Sequence, residues 1–526
     1  MNARSTYKKI GIASLIMAAS IFTSRLIGVF REMAIAYTGG ASGAVDAYQV
    51  AFVIPEILNH IVASGFLSVT FIPIFSGYLA RNEADRGWEI FSIILTVFGG
   101  LLLLLTALTF WLTPQLVALL APGLTDPARF DAAVRMTRII MPAQVFFFAG
   151  GLFMAVQFAH EKFAVPALAP LIYNLGIIAG GLLGGRWLGM EGFAWGVLAG
   201  AFAGNCLLQY FGARRVGLRF RPLFRWHHPD LKKYILLTVP LMFGLTMTFS
   251  TEIFLKYFGS HLPAGSLAGL NYALRIMFIV VALFGQAVGV ASYPFLARLA
   301  GEGKTDEMNQ LLNQALRYLA LVVPLSALFM VLRHETVLIL FQRGRFDAAA
   351  TALTAGLLIF LMIGAFAFAA QTVVVRGFYA VQNTLLPAVF STATALLSLP
   401  IYVFGLRYLG AKGVALAVSL SAILQVVTLY VLWNRRHPNP GSRDVYRFYA
   451  VMIGLALLLG IVLERLKDVL HTLIDTTAMT GCLITAFIIG AVFLLILLIT
   501  GHALGWEELI GLEQKLIARL RPKPKK

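Results

Sequence analysis

Fourteen apolar windows run through this chain, beginning near Ile10, Val45, Trp88, Asp131, Phe163, Met190, Lys233, Ser266, Asn309, Ala348, Thr384, Ala411, Tyr446 and Ala478. Each is about 20 residues long, the length that crosses ~30 Å of hydrocarbon as a helix. Composition agrees. Of the 526 residues 59% are hydrophobic and 13% charged, with a mean hydropathy of +0.83. Soluble domains are about half apolar and a quarter charged. The expected fold is therefore an all-α polytopic membrane protein with about 14 transmembrane helices.

Net charge is +18, from 42 basic and 24 acidic residues. The basic residues lie mostly between apolar runs, where insertion topology and anionic headgroups explain them, so nucleic acid is not an expected partner. Arg81 and Arg86, the group Arg214, Arg215, Arg219, Arg221, Arg225, Lys232 and Lys233, and the group Arg435, Arg436, Arg443 and Arg447 all fall in loops after even-numbered spans. That bias predicts both termini in the cytoplasm. Lys8 and Lys9 precede the first apolar run as in a signal peptide, but the run continues into Arg25 and Arg31 without a small-residue cleavage site, so it reads as an uncleaved first span. Cys206 and Cys482 both lie in apolar stretches and offer neither a disulfide framework nor a metal cluster. Past Gly505, apolar residues from Trp506 to Leu520 recur at near-helical spacing before RPKPKK; this reads as an amphipathic basic cytoplasmic helix or as a frayed tail.

An internal duplication organises the spans. RWLGMEGFAWGVLAGAFAGNCLLQYFGARR from Arg186 aligns without gaps with RYLGAKGVALAVSLSAILQVVTLYVLWNRR from Arg407, and about a third of positions match. The same offset of 221 residues pairs Pro166 with Pro387 and FIPIFSGYLARNEAD from Phe71 with SYPFLARLAGEGKTD from Ser292. RFDAA occurs at both Arg129 and Arg345. Each copy holds six spans, an even number, which leaves two parallel lobes around a central cavity. The expected divisions are 1–225 for the first lobe, 226–437 for the second, 438–503 for two extra helices and 504–526 for the tail. Such lobes can open alternately to either side, as in a transporter.

The first two spans carry charge. TSRLIGVFRE places Ser24, Arg25, Arg31 and Glu32 in an otherwise apolar helix, and VDAYQVAFVIPEILNHIVASG adds Asp46, Gln49, Glu56, Asn59 and His60. Ionisable groups at membrane depth are costly and face a protein interior or a watery cavity, which makes them functional candidates. At 100° per residue Asp46, Gln49, Glu56, His60 and Ser64 share one face of the second helix, with Pro55 predicted to kink it. Asn271 and Arg275 lie one turn apart in the eighth span. A guanidinium fork matches a phosphate or carboxylate, so Arg25, Arg31 and Arg275 together suit an anionic headgroup. Structural pairings compete with that reading: Arg31 with Glu32 or Asp46, and Glu252 with Lys256 at i,i+4 spacing. Gly39, Gly40 and Gly43 make either a hinge or a tight turn. No nucleophile with its base, metal cluster or phosphate-cradling glycine loop supports an enzyme.

SRLIGVFRE from Ser24, VDAYQVAF from Val45, FIPIF from Phe71 and the NYALRIM segment containing Arg275 resemble the MurJ (MviN) family. These are lipid II flippases of the multidrug/oligosaccharidyl-lipid/polysaccharide exporter superfamily. The resemblance implies transport of the lipid-linked peptidoglycan precursor across the bacterial cytoplasmic membrane for cell-wall synthesis. It also implies a cationic cavity in which Arg25, Arg31, Arg275 and Asp46 are required, and a groove for the polyprenyl tail near the last two helices. Asn59 and His60 stand where the family commonly has an Arg-Arg pair, and Ser64 where it commonly has Glu. Substrate contact is expected from Arg25, Arg31, Asp46, Arg275, Asn59 and His60, and gating or secondary roles from Ser24, Glu32, Gln49, Glu56 and Asn271. The expected partners are lipid II or a similar polyprenyl-linked glycan, membrane lipids and the cell-wall synthesis machinery; the chain is expected to act as a monomer. No cofactor is expected, transport being driven by the membrane potential or an ion gradient. The alternatives are a flippase for another lipid-linked oligosaccharide, a cation-coupled drug exporter, and, in a different class, a membrane glycan ligase or scaffold. Inward arginines oppose the drug exporter, and short outer loops oppose the ligase.

Overall fold

The computed structural model describes residues 3–60, 70–244, 246–476, 478–506 and 508. Among them there is no β-strand, and all fourteen expected windows begin in or next to helix. The helices are α1 (Ala3–Gly39), α2 (Gly43–Ala51), α3 (Val53–Leu58), α4 (Ile72–Ala80), α5 (Ala84–Trp111), α6 (Thr113–Leu120), α7 (Pro127–Ile140), α8 (Ala143–Ala159), α9 (Ala164–Leu188), α10 (Glu191–Gly200), α11 (Leu208–Arg215), α12 (Pro229–Gly244) and α13 (Thr246–Gly259). They continue as α14 (Ser266–Val281), α15 (Ala287–Gly301), α16 (Thr305–Ala320), α17 (Val322–Val331), α18 (Arg333–Phe341), α19 (Ala348–Met362), α20 (Ala365–Ala380), α21 (Leu385–Leu397), α22 (Leu399–Arg436), α23 (Ser442–Leu473) and α24 (Met479–Ala503). Among the described residues eight helical stretches are long and apolar enough to span a bilayer, or nine if α19 and α20, bent by 45°, form one. Others among the expected spans are interrupted. The second breaks at Phe52, three residues before Pro55, whose ring cannot donate to the helix, and takes a π turn at Asn59 and His60. The sixth contains the π segment Ala201–Leu207. Ser64 and most of the expected tail helix, 507 and 509–526, lie outside the described residues.

The duplication recurs in the backbone. α4 ends at Ala80 and α15 at Gly301; α5 begins at Ala84 and α16 at Thr305; α7 begins at Pro127 and α19 at Ala348; α9 begins at Ala164 and α21 at Leu385; α11 ends at Arg215 and α22 at Arg436. Every pair is 221 residues apart. Helix ends repeat in conformation as well as position. Asn82 and Gly303, Glu161 and Gln382, and Gly189 and Gly410 all have φ between 55° and 70°. After α8, Lys162 N–H donates to Gln157 and Glu161 N–H to Phe158; after α20, Asn383 N–H donates to Phe378 and Gln382 N–H to Tyr379. Both are Schellman closures, in which a left-handed residue turns the chain back onto the helix's last carbonyls. The left-handed backbone of Glu161 and Gln382 is thus matched by satisfied carbonyls.

Cα packing divides the chain into two compact units, Met1–Gly269 with Arg343–Ala350, and Leu270–Gln342 with Thr351–Lys526. Within the first, α9 packs against α1 and α10. Gly176 and Gly180 of α9 face Gly200 and Gly196 of α10 so closely that a Cβ on Gly180 would lie 2.5 Å from the Gly196 Cα. Lipid tails are as apolar as Leu, so close backbone contact through small residues drives association where the hydrophobic effect does not. Within the second unit, α20 is packed among α15, α16 and α22, while α23 and α24 close onto α16 to α18. Val331, Leu332, Met452, Leu459, Leu463, Ile489 and Phe493 form one apolar cluster there. The outward faces of α23 and α24 stay apolar, with Ile461 at 65% and Phe487 at 77% exposure, as a surface solvated by lipid requires. Gly196→Val should therefore lower the melting temperature of the detergent-purified protein, at an overpacking cost of about 1–3 kcal/mol. Unchanged melting would show that the α9–α10 contact tolerates separation.

Candidate functional site

At one end of the first unit, four connecting loops are docked without space between them. Gly40, at φ 62°, would place a Cβ 2.4 Å from the Arg345 carbonyl, and the Arg345 N–H donates to the Tyr37 carbonyl at 2.9 Å. Gly344 would meet that same Tyr37 carbonyl at 2.5 Å, and Gly265, at φ 87°, would meet the Ala41 carbonyl at 2.1 Å. Gly123 donates its N–H to Ser260 Oγ at 3.0 Å. The glycines after the first span thus form a tight, packed turn, and only residues without side chains fit it.

Asp46 holds this layer together. Its carboxylate is 3% exposed and accepts from the Gly265 N–H at 2.6 Å and the Ala268 N–H at 2.7 Å, at the amino end of α14. These are orphan donors of a helix start, and the helix dipole there favours an anion. Arg129, whose side chain packs over Gly43, adds an electrostatic attraction. Two short charge-assisted bonds offset part of the carboxylate's loss of hydration. Asp46 does not pair with Arg31.

Arg31 is instead held by Glu32. Its Nη2 lies 2.7 Å from Glu32 Oε1, and its Nη1 donates to Asn174 Oδ1 at 3.1 Å. Asn174 in turn donates to Ser24 Oγ at 3.3 Å and to the Pro170 carbonyl at 2.9 Å. Ser24, Arg31 and Glu32 are thereby joined through a residue that sequence reasoning missed. Its signal was an amide one turn after Pro170 in an apolar span. Arg25 is different: it is exposed, and among the described residues it makes no hydrogen bond or ion pair. Gly28, one turn on, has no atom within 4 Å of where a Cβ would stand, so this face of α1 is open.

On the second span, Gln49 is buried, whereas Glu56, Asn59 and His60 are partly exposed. His60 Nδ1 donates to the Glu56 carbonyl at 2.8 Å. Glu56 also approaches a buried lysine. Lys256 Nζ lies 3.2 Å from Glu252, the expected pair, and 3.7 Å from Glu56 Oε2, with 4% of the lysine side chain exposed. In the second unit, Asn271 is buried and Arg275 partly buried, one turn apart on α14.

A family profile described as lipid II flippase MurJ matches residues 35–498. The lipid II flippase MurJ of Burkholderia cenocepacia is 29% identical over 460 residues, which cover 85% of this chain and 88% of that protein. A probable lipid II flippase MurJ of Rhizobium tropici is 26% identical over 517 residues, 95% of each chain. Among solved structures, a lipid II flippase MurJ in an inward closed conformation superposes with a TM-score of 0.76 at 23% identity, covering 93% of this chain and 99% of that one. An inward-facing multidrug transporter of the MATE family has a TM-score of 0.66 at 12% identity, covering 81% of this chain and 95% of that one.

Two outcomes follow from these contacts. With Cys206 and Cys482 replaced by Ser and a thiol placed at the buried Ser266, Asp46→Asn should speed labelling by a small maleimide about 10–100-fold, as expected for losing a charged hydrogen bond of roughly 1.5–3 kcal/mol. An unchanged rate would show that the carboxylate does not hold the layer shut. Lys256→Met alone should destabilise by about 1–3 kcal/mol, below the buried-pair limit because both glutamates are partly exposed. Adding Glu56→Gln and Glu252→Gln should restore the melting temperature if their unpaired charge is the cause.

Proposed function

The chain belongs to the MurJ lipid II flippase family, and on that premise we propose that it carries lipid II from the inner to the outer leaflet of the bacterial cytoplasmic membrane for peptidoglycan synthesis. It is a multi-pass membrane transporter and not an enzyme. The two repeats rock about the cargo, and both termini face the cytoplasm, in line with the basic loops after even-numbered spans. The observation that carries the sign of the cargo is the exposed Arg25 in the first span, which no carboxylate answers among the described residues. A guanidinium at membrane depth suits a polyprenyl pyrophosphate with sugar carboxylates.

In this reading Arg25 engages the pyrophosphate. Arg31, oriented by Glu32 and Asn174, offers a second guanidinium, and Arg275, with Asn271 beside it on α14, offers a third. Asn59 and His60 supply polar contacts from the second span, with Gln49 and Glu56 behind them. Asp46 serves transport as the clasp of the loop layer, which must release for the headgroup to leave on that side. The lipid tail stays in the bilayer beside α23 and α24. Resetting an empty cationic cavity can draw on the membrane potential, worth ~2.3 kcal/mol per elementary charge per 100 mV. A flippase for another lipid-linked glycan is the second reading, favoured by Asn59 and His60 at the positions where a pair of arginines is expected.

Arg25→Ala, Arg31→Ala and Arg275→Ala should each abolish rescue of a flippase-depleted strain at normal membrane abundance. In vesicles each should slow lipid II appearance on the far face about tenfold or more, the loss expected for one charge-assisted contact. Full activity of all three would remove the proposed site, and faster transport of a competing lipid-linked glycan would favour the second reading.

A further inference from the structure

Arg376, a cation of α20 within the second unit, is not among the residues assigned above. The eighth span does not run as a regular α-helix between α14 and α15: Ala282–Gln286 forms a π turn. A π turn frees a carbonyl from its usual partner and recurs at functional positions. Here the Gly285 carbonyl accepts from Thr372 Oγ1 of α20 at 2.8 Å, and a Cβ on Gly285 would lie 2.8 Å from the Ala369 Cα. The two helices therefore touch through backbone at this level.

One turn further, Gly289 opens a notch, and Arg376 of α20 fills it. Arg376 Nη1 stands 2.1 Å from where a Gly289 Cβ would be, so no residue but glycine allows this placement. Nη1 is buried, with no hydrogen-bond partner among the described residues. Nη2 reaches Gln286 Oε1 only at 3.5 Å, the outer limit of a hydrogen bond. No carboxylate among the described residues pairs with the guanidinium, unlike Arg31, Lys256 and Lys467. The side chain is half-buried, and exposed Leu283, Ala287 and Val290 flank the notch on α15 and the π turn. A cation in a spanning helix without a counter-ion among the described residues, beside a glycine that makes room for it, is arranged for an anion that comes from outside the chain.

We infer that Arg376 and Gln286 form an anion-binding subsite on the second unit, taking a phosphate or carboxylate oxygen, with Gly289 as the notch in which the guanidinium rests when the subsite is empty. The guanidinium donates to the anion, and the Gln286 amide N–H adds a second donor from the π turn. The anion belongs either to the lipid-linked cargo, which rests on the flippase reading, or to the headgroup of an anionic phospholipid, which does not.

The test uses the full-length protein in nanodiscs of phosphatidylcholine, with binding of lipid II and of cardiolipin each titrated by native mass spectrometry. Arg376→Gln should weaken one of the two lipids about tenfold, the change expected for losing a charged hydrogen bond. Arg376→Lys, a point charge without the fork, should recover part of it. Gly289→Ala keeps the charge but fills the notch, and should shift the same lipid's affinity, so a folding defect in the glutamine variant leaves the idea testable. Loss confined to lipid II makes the subsite part of the cargo path. Loss confined to cardiolipin makes it a phospholipid site, which stands even if the protein binds no lipid II. Wild-type affinity for both lipids in Arg376→Gln and Gly289→Ala would overturn the subsite, while Arg25→Ala in the same assay reports separately on the flippase reading.

Discussion

Two backbone N–H groups at the start of α14 hold the carboxylate of Asp46, and the packed loop layer of the first unit depends on that contact. The chain closes there with glycines whose Cβ positions are occupied by neighbouring carbonyls, so at those positions backbone meets backbone and interlocking side chains do not fit. One buried anion on an orphaned helix start supplies the directional force instead. The Arg345 N–H on the Tyr37 carbonyl and the Gly123 N–H on Ser260 Oγ add neutral hydrogen bonds beside this charged one.

The same rule, that charge in an apolar slab must be answered locally, sorts the remaining ionisable groups. Arg31 is answered by Glu32 and Asn174, and Lys256 by Glu252 and Glu56. Asp46 is answered by backbone. Arg25 and Arg376 are not answered by any carboxylate among the described residues, although each stands within an apolar stretch. The unpartnered Nη1 of Arg376 is buried, where an unanswered charge is costly, while Arg25 is exposed on its helix, so both guanidinium groups are left with bonds that an external anion can fill.

Duplication gives the fold its economy. The recurring helix ends are set by local chemistry: a left-handed residue and two carbonyl contacts close α8 and α20 alike, although Glu161 stands in one and Gln382 in the other. What diverged is the packing between elements. Three glycines on each of α9 and α10 bring those helices together, whereas in the later copy a single glycine pair, Gly405 and Gly413, meets at the corresponding crossing. Helix termination is a property of a few neighbouring residues and survives sequence drift, while interhelical contact needs both surfaces and drifts with them.

The sequence by itself determined the class, the positions of the spans, the repeat and the two charged helices, because hydropathy over about 20 residues and helical periodicity are local properties that a bilayer reads directly. It also exposed the Glu252–Lys256 pair, whose partners lie one turn apart. The tertiary structure alone decided which charges are answered. Asp46 finds its donors 219 and 222 residues away, Arg31 reaches Asn174 across 143, and Arg376 meets Gln286 across 90. No spacing rule on a single helix encodes such meetings. They arise only when helices pack, where the glycines leave room and the low dielectric strengthens each charged contact that forms.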